Sequence, residues 1–346
     1  MKGGHWSAMK HTNTAKKPRW RRKYTITILL GSLVVLAAFL FLKNGPLFVK
    51  ERTGKPFLLA NGGLSQPYST EGLTNQTCTA SRMLPPKQPY LENTLASMQA
   101  AFQLGADIVE FDIQPTKDGQ FAVFHDGNLD CRTNGKGMTS HYTLAELKKL
   151  DIGYGYTADG GKTFPFRGKG IGLMPSLQEV LHTFPDRPLL IDVKSNDFEE
   201  GGQLARVLLA LPAHQQNRLT VEGGDQPIDA VRQRLPQMRV MSRAIIQNCV
   251  LQYVALGWTG YVPVACRHIE LQLPDKIAPW LWGWPNRFLD RMDANDTRVV
   301  LVQGDGTEEF SGGFDSPEDL KRLPPGYTAG IWTNRIDQIA PVFHHK

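Results

Sequence analysis

Ile108-Val-Glu-Phe-Asp-Ile-Gln114 has the alternation of a β-strand. Alternate side chains of a strand share a face. Ile108, Glu110, Asp112 and Gln114 therefore point one way, and Val109, Phe111 and Ile113 the other. The second set is an apolar face for helices to cover. Two carboxylates on the opposite face of a buried strand are costly unless something positive neutralises them. A divalent cation with oxygen ligands, Ca²⁺ or Mg²⁺, does so; an ion pair with an interior Lys or Arg is the other solution.

Leu189-Leu-Ile-Asp-Val-Lys-Ser-Asn196 repeats the pattern, with Asp192 and Lys194 on one face at a strand end and Ile191 and Val193 on the other. Asp192 offers a third carboxylate, and Lys194 a charge for a substrate phosphate. In Phe121-Ala-Val-Phe-His-Asp126, His125 is expected to end a strand in phase with Phe121 and Val123. Its ordinary titration range suits a general acid or base.

Further strands are expected at Pro56–Ala60, Pro188–Lys194, Leu219–Glu222, Arg239–Ser242, Val299–Val302 and Ala329–Thr333. Amphipathic helices such as Ser176–Thr183, Gly202–Leu211 and Pro227–Leu235 separate them, and Glu92–Leu104 is a helix stopped by Gly105. Strands alternating with helices imply parallel strands with helical crossovers. Seven or eight of them predict an α/β fold, a (β/α)8 TIM-type barrel over residues 56–346 with an insert at 62–91.

Ahead of the barrel, residues 1–23 hold eight Lys and Arg and no acid, which leaves 31 basic against 33 acidic residues after Lys23. The basic pI of about 9.1 therefore belongs to the tail. Nucleic-acid binding needs basic residues clustered on the folded part, so no nucleic-acid partner is expected. Residues 24–42 carry no charge and are long enough for a transmembrane helix. The alternative is a cleaved signal peptide, but the run is longer than such an apolar region and no small-x-small site follows it. With residues 1–23 cytoplasmic by the positive-inside rule, a linker at 43–55 leads to a barrel on the periplasmic or extracellular side. Disulfides are permitted there. Cys78, Cys131, Cys249 and Cys266 show no CxxC spacing, and Cys78–Cys131 with Cys249–Cys266 is the preferred pairing; four buried free thiols is the other reading.

Glu92-Asn-Thr, Gly105-Ala-Asp-Ile-Val-Glu-Phe-Asp112, Thr116-Lys-Asp-Gly119, Val123-Phe-His-Asp126, Leu129-Asp-Cys-Arg-Thr-Asn-Gly135, Met174-Pro-Ser-Leu-Gln-Glu-Val180 and Leu190-Ile-Asp-Val-Lys194 occur in that order. Together they resemble a glycerophosphodiester phosphodiesterase domain, densely from Glu92 to Lys194 and more loosely to Gly330-Ile-Trp-Thr-Asn334. The resemblance implies a (β/α)8 barrel that hydrolyses a phosphodiester beside a divalent metal. It gives Glu110 and Asp112 as metal ligands, with Asp192 where the family usually has Glu. It also gives Lys194 as the phosphate-binding lysine and His125 as an acid/base residue protonating the leaving alkoxide. The family's first strand ends in His-Arg-Gly, whereas this chain has Asn61 at the histidine position and Gly62 at the arginine position. An amide relays no proton near neutral pH. His141, His182 and His268 are sequence candidates to replace it.

The expected function is metal-dependent hydrolysis of glycerophosphodiesters or related lysolipid phosphodiesters, slowed by loss of one histidine. The alternative is a degenerate barrel that binds or senses phosphodiesters or lipid headgroups. The 62–91 insert is a candidate lid or specificity loop, or else a plain surface loop. Trp280, Trp282 and Trp284 suit a membrane interface or headgroup pocket, or ordinary packing. Asn75-Gln-Thr77 and Asn295-Asp-Thr297 fit the glycosylation pattern.

Overall fold

The structure is a computed structural model that describes residues 19–45, 49, 52–74, 77–306 and 312–344. Residues 1–18 of the basic tail, part of the linker and Asn75 of the first glycosylation pattern lie outside the described residues. Nine strands are described: β1 (Leu58–Asn61), β2 (Ile108–Pro115), β3 (Phe121–Val123), β4 (Leu189–Val193), β5 (Leu219–Gly223), β6 (Arg239–Met241), β7 (Glu270–Pro274), β8 (Arg298–Val302) and β9 (Gly330–Thr333). Eight pair in parallel in the order β6-β5-β4-β2-β1-β9-β8-β7. A lone parallel bridge from Val240 to Ile269 brings β6 to the start of β7 and nearly closes the barrel.

The period of two sorts the side chains as expected. Val109, Phe111 and Ile113, with Leu189, Ile191 and Val193, join the main core beneath the outer helices. Leu59, Ile108, Leu190, Val300, Val302 and Trp332 fill the barrel interior. This inner layer is the floor on which the polar residues nearer the strand ends stand. The helix Leu95–Leu104 covers the outside between β1 and β2. Thr94 caps its start reciprocally with Ser97, and Gly105 ends it in the left-handed conformation at φ 105°. Its first turn is tied to the first strand loop, since Ser97 Oγ donates to the Gly62 carbonyl at 3.1 Å. Gly63, at φ 78°, is required there, because a Cβ would stand 2.7 Å from the Ser97 backbone.

Two elements differ from the sequence reading. Phe121–Val123 is no barrel strand; it pairs antiparallel with β2. Only the turn Thr116–Gln120 separates the two, and a parallel return needs a dozen or more residues. A hairpin is the geometry that fits, and His125 lies two residues past β3, on a bend. The barrel strand absent from the sequence reading is β7. Its alternation of Ile269, Leu271 and Leu273 with Glu270 and Gln272 is a strand signal, and Leu271 and Leu273 are buried as that phase requires.

A helix at Arg19–Asn44 precedes the barrel; its Tyr24–Asn44 portion is long and apolar enough to cross a membrane and is unburied. Cys78 is bonded to Cys131 and Cys249 to Cys266, with Cα separations of 5.7 and 4.7 Å.

Candidate active site

The carboxylates arrive at one end of the barrel because neighbouring strands are in register. Asp112 of β2 pairs with Asp192 of β4, and Asp192 with Glu222 of β5, so three acids form one rung. Glu110 lies two residues earlier on β2, opposite Asn61 of β1. All four, with Asn61, Gln114, His125, Lys194 and Trp332, line a cavity of about 1190 Å³.

Within that set the tightest group is Glu110, Asp192 and Glu222, whose nearest oxygens all lie within 4.8 Å of one another. Burial, then the charges of Asp192 and Asp112, push the Glu110 carboxyl up to about 8, opposed by a hydrogen bond from the Trp332 indole and by Lys194. Burial and the neighbouring acids raise Glu222 well above the usual carboxylate range, and burial raises Asp192 despite Lys194. Asp112 behaves differently. Burial would raise it, but Lys194 at 2.9 Å, His125 and the Asn93 amide at 2.6 Å hold it below its ordinary value. Asn93 also accepts the Asp112 backbone N–H at 3.0 Å, and adopts the left-handed conformation at φ 60° to do so. Lys194 bridges Asp112 and Asp192, the latter at 2.5 Å.

The group therefore fits a hard cation. It offers three carboxylates from three strands, and their raised pKa values reflect burial first and then repulsion from neighbouring acids, which a divalent ion would offset. Sequence reading gave Glu110, Asp112 and Asp192 as the ligands. The structure brings Glu110 and Asp192 together with Glu222, and sets Asp112 against Lys194 and Asn93. Glu110 makes the stability of the metal-free fold depend on pH. Its folded value of about 8 lies above its ordinary 4.5, so the metal-free fold holds an extra proton across that interval and loses stability as pH rises through it. Thermal melts in chelator should show Tm falling from about pH 5 to 8 more steeply for wild type than for Glu110→Gln, with Ca²⁺ or Mg²⁺ restoring the wild-type value. Parallel curves for the two proteins would contradict this.

Beyond the strand ends, His125 Nδ1 meets Asp126 Oδ1 at 2.7 Å, and Asp126 meets Arg132 Nε at 3.0 Å. Burial opposes ionisation of Asp126, but Arg132 and His125 hold its carboxyl down at about 2. A carboxylate on Nδ1 fixes the tautomer and leaves Nε2 to exchange protons. The Arg132 guanidinium is engaged within the protein. Its donors are taken by Asp126, by Glu92 at 2.8 Å, by the Tyr156 hydroxyl and by Thr79. At the first strand end, Asn61 Nδ2 donates to Asn334 Oδ1 at 2.9 Å, and Asn334 is held in turn by Asp315. His141, His182 and His268 are not among the residues lining the cavity.

The 62–91 insert supplies one wall of the cavity through Ser65, Tyr68, Leu73, Thr74, Thr77 and Thr79. The Cys78–Cys131 bond ties this wall to the loop that carries Arg132. Closing a loop of 53 residues removes about 4 kcal/mol of unfolded-chain entropy by the loop-length relation. Replacing both cysteines by Ser is accordingly expected to lower the denaturant midpoint of the oxidised protein and leave that of the reduced protein unchanged. An unchanged midpoint in the oxidised state would contradict the tie.

Sequence reading missed Glu222, Trp332, Asn334 and Asn93 as site residues. Leu219-Thr-Val-Glu-Gly223 did carry a signal, since its acid closes an apolar strand as Asp192 does.

Residues 80–214 match the model of the Glycerophosphoryl diester phosphodiesterase family. The chain is 42% identical over 103 residues to a glycerophosphodiester phosphodiesterase of Caldanaerobacter subterraneus subsp. tengcongensis, covering 30% of this chain and 39% of that protein. It is 28% identical over 196 residues to the lysophospholipase D GDPD1 of Mus musculus, covering 54% of this chain and 58% of that one. These matches thus span well under two thirds of each relative's length. Among solved structures, the Oleispira antarctica phosphodiesterase OLEI02445, in complex with the product sn-glycerol-3-phosphate, superposes with a TM-score of 0.53 at 17% identity, over 84% of this chain and 98% of that one. Residues 80–214 are therefore similar to the glycerophosphoryl diester phosphodiesterase family, and the barrel that contains them has the fold of the Oleispira antarctica phosphodiesterase.

Proposed function

We propose that this chain is a membrane-anchored, metal-dependent phosphodiesterase that hydrolyses glycerophosphodiesters or related lysolipid phosphodiesters. The observation that carries the reading is the meeting of Glu110, Asp192 and Glu222 in one cavity with Lys194 and His125. The family match and the names of the relatives give the substrate class.

Glu110, Asp192 and Glu222 would hold a Ca²⁺ or Mg²⁺ ion, with Asp112 beside them engaging Lys194. Such an ion, when bound, polarises the phosphoryl oxygens. Lys194 would turn from Asp112 and Asp192 toward the substrate phosphate. His125, oriented by Asp126, would give the Nε2 proton to the alkoxide released as the P–O bond breaks, with the new bond supplied by water or by a neighbouring substrate hydroxyl. Asn61 would hydrogen-bond a phosphate oxygen where the family places a histidine. The helix Tyr24–Asn44 would be an uncleaved span, with residues 1–23 cytoplasmic, residues 43–55 a linker and residues 56–346 the barrel on the far side.

A second reading, a barrel that binds or senses phosphodiesters without turnover, is favoured by Asn61 and Gly62. Glycerophosphocholine hydrolysis by the full chain with Ca²⁺ or Mg²⁺, compared with Asn61→His, separates the two. The enzyme reading predicts metal-dependent wild-type activity. No wild-type activity at high protein, with a large gain in Asn61→His, would favour the second reading, since a general acid or base contributes about 10²–10⁴-fold.

A further inference from the structure

We propose that the barrel flank built on the helix Arg243–Leu256 rests on the lipid headgroup layer around the foot of the Tyr24–Asn44 helix. This rests on reading that helix as a membrane span. From Ala244 to Cys266 there are 23 consecutive residues without Asp, Glu, Lys, Arg or His, although much of the segment is at the surface. A surface helix of a water-facing domain ordinarily shows charged residues outward. Here Cys249 and Tyr253 are the buried side, while Leu251 is 71% exposed and Val254 lies beside it on the outer face. The Cys249–Cys266 bond pins the turn bearing Val264, 70% exposed, against this helix. Trp282 Nε1 donates to the Val254 carbonyl at 2.9 Å and so draws in the segment carrying Trp280, 83% exposed. Of the three clustered tryptophans, Trp280 thus faces outward, whereas Trp284 packs against Phe288 and Tyr327.

The occupant of this face follows from where the apolar helix is seated. Asn44 Nδ2 donates to the Trp258 carbonyl at 2.9 Å, and Arg291 and Arg287 donate to the carbonyls of Lys43 and Gly45, each at 2.7 Å. The Phe39 and Trp258 rings meet edge-on at 6.2 Å between centroids. Phe39 is five residues, about 7.5 Å of helix rise, before Asn44, and the apolar run continues to Leu42. Trp258 therefore stands level with the outer end of the apolar run, where a bilayer passes from acyl chains to headgroups. Indole rings and uncharged apolar side chains are favoured at that depth. Leu251 and Val254 stand seven and four residues before Trp258 at helical spacing. The Cys249–Cys266 bond and the Trp282–Val254 hydrogen bond tie the segments of Val264 and Trp280 to the same helix, so the surface that surrounds the span is the one this flank is inferred to meet.

The test uses the full chain in vesicles of phosphatidylcholine and phosphatidylglycerol, spin-labelled one site at a time at Leu251→Cys, Val264→Cys or Trp280→Cys. Leu209→Cys and Ile171→Cys serve as exposed apolar controls and Val34→Cys reports on the span. The native cysteines are disulfide-bonded, so labelling without reductant reaches the new thiol alone. The proposal predicts several-fold stronger relaxation by lipid-soluble oxygen than by a water-soluble nickel chelate at positions 251, 264 and 280, and the reverse at 209 and 171. With position 34 in lipid, chelate-dominated relaxation at 251, 264 and 280 overturns the docking proposal alone. Labels there shielded from both reagents overturn it in favour of a second copy of the chain. Position 34 in water overturns the anchor reading itself.

Discussion

Glu110→Ala is expected to lower metal-dependent glycerophosphocholine hydrolysis by at least about 100-fold, because even partners outside the ligand shell commonly contribute about 10–100-fold in metal affinity or activity. Glu110 is buried, accepts the Trp332 indole N–H and lies within the tight carboxylate group. Its removal takes one of three candidate ligands without opening the fold, since the side chain points into the cavity and away from the helix-covered core. Two readouts distinguish this from simple unfolding. The Tm in chelator is expected to hold or rise, because the variant no longer buries a repelled carboxyl. The Tm increment produced by Ca²⁺ or Mg²⁺ is expected to vanish. Full activity in Glu110→Ala, or a Tm that collapses in chelator, would remove Glu110 from its assigned role.

Replacing His125 by Gln is expected to slow hydrolysis of glycerophosphocholine by about 10²–10⁴-fold, the usual range for a general acid. The size of the loss should depend on the leaving group. An alkoxide needs the proton that His125 would supply, whereas a nitrophenolate departs without one. A bis(nitrophenyl) phosphate diester is therefore expected to lose far less activity in the same variant. Asp126→Asn should show a milder form of the selectivity, since it leaves His125 in place but removes the carboxylate that orients Nδ1 at 2.7 Å. Equal losses on both substrates would make His125 a binding residue and reassign the proton donor.

Most of the barrel was legible from its period. β2 alternates apolar and polar residues from Val109, and β4 does so from Ile191; the structure puts Phe111 and Ile191 in the core and Glu110 and Asp192 in the cavity. The end of the first outer helix was legible from Gly105, whose type matches its left-handed cap, whereas its start lies at Leu95 behind the Thr94 cap, three residues past the expected Glu92. What was hidden depends on register and on distance along the chain. Glu222 reaches Glu110 and Asp192 because β5 pairs with β4 at one offset, and an offset is not written in either strand alone. Trp332 meets Glu110 because β9 lies beside β1, at the other end of the sequence. The strand before His125 was expected in the barrel and ending at His125, but five turn residues make it a hairpin with β2 that stops at Val123. The uncharged flank at Ala244–Cys266 was visible as sequence, yet only the seating of Asn44 on Trp258 relates it to the apolar helix.

The proposed activity requires Glu110, Asp192 and Glu222 to share one divalent ion. Anomalous diffraction from crystals of the full chain soaked with Mn²⁺ measures this directly. The predicted result is one strong peak within about 2.0–2.6 Å of an oxygen from each of the three carboxylates. A peak held elsewhere, or none while Lys194 keeps its contacts to Asp112 and Asp192, would contradict it.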